Sequence, residues 1–145
     1  MSWTFKGGVF DKTEEEILAL GLFSFVYLIT NLENGRLYIG KKLFLFKGKK
    51  MVKLKNGTKK KKSILVESDW KEYFGSSDEL NKDVEKFGED KFKREILHLC
   101  KSKAEASYLE LKEQMLNEVL LNDLYYNSYV GARIHRSHVK NLRNA

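Results

Sequence analysis

Two tyrosines lie eleven residues apart in the stretch FVYLITNLENGRLYIGKK, residues 25–42: Tyr27 inside an apolar run, and Tyr38 at the head of Tyr38-Ile39-Gly40-Lys41-Lys42. A phenol has an ordinary pKa near ~10 and takes up a proton near neutrality only where neighbouring cations favour the phenolate. Lys41 and Lys42 beside Tyr38 supply such a field. Strand alternation puts Tyr38 and Gly40 on one face and Ile39 on the other, so the ring projects into a cleft while Ile39 enters the core. Gly40, having no Cβ, leaves room for a close approach such as that of a phosphate backbone. Four acids, Glu105, Glu110, Glu113 and Glu118, follow on one later stretch and are the candidate carboxylates. Cys100 is the only cysteine, which excludes an internal disulfide and a cysteine-based metal site; within ILHLCK it reads as a buried thiol. His135 and His138, with only His98 elsewhere, read as surface or phosphate-contacting groups rather than metal ligands.

The charge balance says what such a site would meet. The chain carries +7 overall, but between Asn34 and Val66 there is no acid, while Arg36 and eleven lysines from Lys41 to Lys62 stand there. The rest of the chain is net negative. A positive field concentrated in this way attracts polyanions and releases their counterions, so nucleic acid is the leading partner and a membrane surface the second. No run approaches the roughly 18 apolar residues of a membrane span, and the N-terminus reaches acids before any long apolar run, which points to a cytoplasmic location.

The elements that must position these residues follow from periodicity and breakers. Residues 11–20, DKTEEEILAL, predict a short helix capped by Asp11 or Thr13 and stopped by Gly21. Residues 23–30 and 36–44 predict a hairpin turned at Asn34-Gly35. The lysine-rich insertion, 41–66, is a further β-ribbon or a loop. Two short helices follow, capped by Ser68 or Asp69 and by Ser77 or Asp78 and closed by Gly75 and Gly88. Residues 92–99 predict a third strand and 102–122 the longest helix. A basic tail, 128–145, holds Arg133, Arg136, Lys140 and Arg143 with no acid after Asp123. At 145 residues this is one domain of the α+β class: a small, mostly antiparallel three-stranded sheet flanked by helices.

Val26-Tyr27-Leu28 followed by Tyr38-Ile39-Gly40 resembles the motif pair of the GIY-YIG nuclease superfamily, found in phage homing endonucleases, some restriction enzymes and bacterial excision repair. The first motif departs at its glycine, which is Phe25 or Val26 here; the second matches fully. FKREILHL resembles the family's third strand, YLELKEQML the helix with its acidic metal ligand, and LYYNSYVGA its Tyr-Asn segment. SDWKEYFGSS and HRSHVK are similar to stretches of small phage-encoded members, for which the location would be the host cytoplasm.

The resemblance implies a DNA endonuclease that hydrolyses phosphodiester bonds at a site of tyrosine, glutamate and one divalent ion, magnesium or manganese. It assigns Tyr38 the base or its support, Tyr27 a hydrogen bond to water or phosphate, and Glu113 the metal, with Glu110 in reserve. A single carboxylate suits magnesium, which keeps most of its water. Asn127 and Gly40 are supporting residues. The family's usual arginine after the second motif is missing, since no arginine occurs between Arg36 and Arg94. Lys42, Lys62 and Lys71 are candidate substitutes without the bidentate fork, and Arg133 or Arg136 would have to fold back. Lys41, Lys42, Lys60, Lys61, Lys62, Arg133 and Arg136 are the expected nucleic-acid contacts. The partner is DNA, with no membrane and no small-molecule cofactor, and the enzyme acts as a monomer or a transient dimer on DNA. The alternatives are a catalytically weak nuclease-derived protein that binds nucleic acid or a partner, and an RNA-directed nuclease.

Overall fold

The structure is a computed structural model that describes residues 2–131 and 136–143. In chain order it has β1 (Trp3–Phe5), β2 (Gly8–Val9), α1 (Glu14–Ala19), β3 (Ser24–Asn31), β4 (Leu37–Leu43), β5 (Leu45–Lys53), β6 (Lys59–Glu67), α2 (Asp78–Phe87), β7 (Phe92–Cys100) and α3 (Lys103–Leu116), then a short helical stretch at 136–143. Helix α1 starts at Thr13 because its hydroxyl and the Glu16 carboxylate cap each other's backbone N–H groups. Helix α2 starts at Ser77 and stops at Gly88, whose φ of 94° favours glycine.

The sheet has five strands in the order β2-β1-β7-β3-β4. Its heart is the antiparallel trio β4, β3 and β7 expected from the sequence, with Tyr27 opposite Gly40 and Ile96. The sequence did not announce β1, which adds in parallel to β7, or β2, which turns back on β1. The lysine-rich insertion is a separate two-stranded ribbon, β5 and β6, rather than a loop.

The strand alternation divides the core into two layers. One face of the sheet carries Trp3, Phe25, Tyr27 and Phe92, and is closed by Ile17 of α1, by Phe44 just past β4, by Trp70, and by Leu80 of α2. The other carries Val26, Ile39 and Cys100 beneath Ala106 of α3 and Val119. Cys100 is buried as expected, and burial pushes its thiol up to about 12, which leaves it inert. Two helical expectations are corrected. The segment after Ser68 makes only a 3-10 turn, Trp70–Glu72, because the indole of Trp70 is drawn wholly into the aromatic core against Phe25 and Phe44. The longest helix ends at Leu116: Glu118 adopts a φ of 48°, and Leu120 and Leu121 lie exposed beyond it. Among the described residues no helix is long and apolar enough to cross a membrane.

Candidate active site

Strand β4 is an edge strand, so the outward N–H and C=O groups of Leu37, Ile39 and Lys41 need partners that no strand supplies. The C-terminal segment and α3 provide them in sequence. Leu37 donates to the Leu124 carbonyl and accepts from the Tyr126 N–H. The Asn127 side chain acts as a strand residue would: Oδ1 accepts from Ile39 N–H at 3.1 Å and Nδ2 donates to the Ile39 carbonyl at 2.8 Å. Gln114 Nε2 donates to that same carbonyl at 3.1 Å, and the Glu110 carboxylate, one helical turn earlier, lies against the Lys41 backbone N–H. Replacing Asn127 by Ala strands the Ile39 N–H and leaves the Ile39 carbonyl to Gln114 alone, and is expected to cost about 1–3 kcal/mol in urea unfolding; a loss below a few tenths would show that the clasp is idle.

This edge is one wall of a cleft of about 520 Å³ into which Tyr27, Tyr38, Lys41, Ser76, Glu110 and Asn127 converge. Its two chemical halves come from opposite faces of the sheet. Glu110 and Lys41 approach from the α3 side, with Lys41 Nζ 2.6 Å from Ser107 Oγ and 4.0 Å from Glu110 Oε1. Tyr38 approaches from the aromatic side, its hydroxyl 2.9 Å from Ser76 Oγ. Tyr27 lies on β3, one strand further in, and is 1% exposed; its ring passes over Gly40 to bring the hydroxyl to the edge. A Cβ at Gly40 would lie 2.6 Å from Tyr27 Cζ and 2.9 Å from Tyr38 Cε2. The space the glycine leaves is therefore filled by a tyrosine of its own sheet, a correction to the expectation that it admits a phosphate backbone.

Electrostatics within the cleft also depart from expectation. Burial raises the Tyr38 phenol, offset in part by Ser76, and raises Tyr27 far more, with the neighbouring Tyr73 and Tyr38 adding to it. The lysine pair does not counter this, because Lys41 turns towards α3 while Lys42 pairs with Asp69 at 2.6 Å and lies 4.1 Å over the Tyr73 ring. Both tyrosines are thus neutral phenols at neutral pH in the free protein. Burial likewise raises the Glu110 carboxyl, against the pull of Lys41.

The structure brings together Tyr27, Tyr38, Gly40, Lys41, Asn127 and the reserve acid Glu110. It does not bring Glu113, the first choice, into this cleft: that side chain turns towards β7, where Oε1 lies 2.9 Å from His98 Nε2. Lys42 lines a second cavity, of about 570 Å³, at the foot of the ribbon, with Leu43, Phe46 and Lys103; Lys41 lines both cavities. Lys71 pairs with Asp11 at 3.3 Å, near the other end of the aromatic layer. Lys60, Lys61 and Lys62 are all on the ribbon. Arg133 and His135 lie outside the described residues, as does the side chain of Arg136. His138 is exposed.

Gln114 and Ser76 were not singled out from the sequence. Gln114 had a signal, since four residues past Glu110 it falls on the same helical stripe; Ser76 had none. At the cleft's rim Arg36 pairs with Glu79 and lies 4.0 Å over the Tyr126 ring, whose hydroxyl donates to Asp83 at 2.6 Å. This network pins the segment that carries Asn127. Among the described residues no three His, Cys, Asp or Glu side chains converge as a ready-made metal cage. The donor set at Glu110, one largely buried carboxylate that lines the cleft, fits a hard cation that keeps most of its own water.

A family model described as "Putative endonuclease segE, GIY-YIG domain" matches residues 3–130. No curated protein and no solved structure matches the chain.

Proposed function

The chain belongs to the GIY-YIG endonuclease family, and from that premise we propose that it is a divalent-metal-dependent DNA endonuclease whose metal ligand is Glu110. The observation that carries this reading is the convergence of one carboxylate, one lysine and two phenols on a single open cleft. A bound magnesium or manganese ion supplies positive charge to the phosphoryl oxygens and acidifies coordinated water. The protein's own groups do the rest. Glu110 holds the ion, and Lys41, 4.0 Å from that carboxylate, sets a second positive charge against the same phosphate. Tyr38, held by Ser76, orients the attacking water and takes its proton in the fraction of molecules whose phenol has ionised to phenolate; Tyr27, fixed by the core and still protonated, donates a hydrogen bond to water or phosphate. Asn127 and Gln114 position the edge of β4 and do not touch substrate.

Residues 1–145 act as one nuclease unit in which the ribbon and the basic tail hold DNA, with Lys42 and the ribbon lysines as backbone contacts. The protein works as a monomer or pairs transiently on DNA. Tyr38→Phe is the direct test. It is expected to lower plasmid nicking by about 10²–10⁴-fold with DNA affinity within a few-fold of the parent. Because burial raises the Tyr38 phenol, the parent's rate is expected to climb as pH rises above neutrality, and the Phe variant's residual rate to stay flat. Full activity in Tyr38→Phe would remove the tyrosine from the chemistry. One observation favours a second reading, a protein that binds DNA and cuts feebly: among the described residues no arginine lines the cleft. Tight binding without any magnesium- or manganese-dependent nicking would select it.

A further inference from the structure

The ribbon of β5 and β6 has more order and more charge than a solubilising loop needs. Each strand is nine residues long, so the ribbon reaches about 30 Å at ~3.3 Å per residue. Lys47, Lys49, Lys50 and Lys53 stand on one strand, Lys59, Lys60, Lys61 and Lys62 on the other, and Lys55 in the turn. All of these lysines are exposed, and among the described residues none is within salt-bridge distance of an acid. Two pairs, Lys50 with Lys62 and Lys53 with Lys59, are directly opposite each other across the ladder. Like charges in that position destabilise a two-stranded ribbon, and no acid among the described residues pairs with them. A polyanion would.

The distribution of the lysines decides which polyanion. The ladder register sets Lys47, Lys49, Lys53, Lys59 and Lys61 on one face and Lys50, Lys60 and Lys62 on the other, beside the half-buried seam of Val52, Ile64 and Val66. A flat anionic surface, such as a lipid bilayer, would meet one face and leave the other's charge unused. A groove with phosphates on two walls meets both. The major groove of B-form DNA, about 12 Å wide, admits a two-stranded ribbon. At the ribbon's foot, the cavity lined by Lys42, Phe46 and Lys103 meets the catalytic cleft at Lys41, so a duplex on the ribbon is continuous with one in the cleft.

Resting on the nuclease reading for the cleft, we infer that the β5–β6 ribbon is a duplex-DNA arm that lies in the major groove to one side of the cleavage site, its lysines reaching both phosphate walls. At ~3.4 Å per base pair its length covers about nine base pairs, so the footprint extends asymmetrically from the cut.

The test uses the full chain with Lys49, Lys50, Lys53, Lys59, Lys60 and Lys61 replaced by Gln, and binding to a fluorescent duplex of about 30 base pairs without divalent ions, so that it reads affinity whether or not the cleft cuts. With each lysine–phosphate contact contributing about 0.9 to the slope of log K against log salt, the slope is expected to fall by at least ~3 and affinity at ~0.15 M salt by about 100-fold. Thermal stability without DNA is expected to hold or rise, since the opposed pairs are gone. A second measurement does not rely on lost charge. Thr58→Cys at the ribbon's turn takes a tethered iron chelate, Cys100 being buried, and hydroxyl-radical cleavage is expected on one side only, about nine base pairs from the enzyme's own cut. An unchanged salt slope would overturn the inference. So would radical cleavage on both sides of the cut with one protein bound per duplex, single-stranded DNA bound as tightly as duplex, or vesicles of phosphatidylserine and phosphatidylcholine losing affinity with the six substitutions while duplex does not.

Discussion

Replacing Glu110 by Gln is expected to abolish metal-dependent nicking, by at least about a thousandfold, and at the same time to make the protein more stable at neutral pH. The first effect follows if this carboxylate alone anchors the ion: losing several kcal/mol of charge stabilisation at the phosphoryl oxygens is a factor of that size. The second follows from burial, which raises the Glu110 carboxyl above its ordinary value. A carboxyl with a raised folded-state pKa binds more protons folded than unfolded in the window between its two pKa values, so stability falls as pH rises through that window. The neutral amide escapes that fall. The melting temperature of Glu110→Gln should therefore match the parent's in acid and exceed it increasingly towards neutrality. Glu113→Gln serves as the paired control, because its partner is His98 and it does not line the cleft; its nicking rate is expected to stay within about threefold of the parent. Loss of activity in Glu113→Gln with full activity in Glu110→Gln would reverse the assignment.

That choice between two acids shows where the sequence stopped being legible. Glu110 and Glu113 are three residues apart on one helix, so both lie near one stripe and periodicity cannot rank them. The ranking comes from how α3 is docked. Ser107, Glu110 and Gln114 face the β4 edge because Lys41 and Ile39 supply their partners, and Glu113 is left to β7. The hairpin, by contrast, was legible because alternation, β-branched residues and an Asn-Gly turn all agree. So were α1 and α2, whose capping residues hold their ends as expected. Strand β1 was not, being three residues long and paired in parallel with a strand some ninety residues away, which leaves no local trace. Lys42 shares Tyr38's side of the strand, as alternation requires, yet Asp69 and the Tyr73 ring draw its ammonium out of the cleft. Parity fixes the face of a sheet but not the reach of a long side chain.

Adding one methyl group at Gly40 is expected to damage both folding and catalysis. The backbone there does not require glycine for its conformation; the constraint is space. The new Cβ would meet the Tyr27 hydroxyl, lie 2.6 Å from Tyr27 Cζ and lie 2.9 Å from the Tyr38 ring, and these rings belong to a close-packed core. Tyr27 cannot retreat easily, because Trp3 and Phe25 stand against it with ring centroids 5.3 and 5.9 Å away. Overpacking of this kind costs about 1–3 kcal/mol, which chemical unfolding of Gly40→Ala would read. Activity should fall further than stability, since the new methyl displaces the Tyr27 hydroxyl and crowds the Tyr38 ring, the two groups that the proposed mechanism sets against water and phosphate, and small misplacements of reacting groups cost about 10²-fold. Adding Tyr27→Phe removes the atom nearest the new methyl, so the double variant should recover part of the lost stability and none of the lost activity. A Gly40→Ala protein with unchanged stability and nicking would mean that the Tyr27 ring does not cross the sheet at this point.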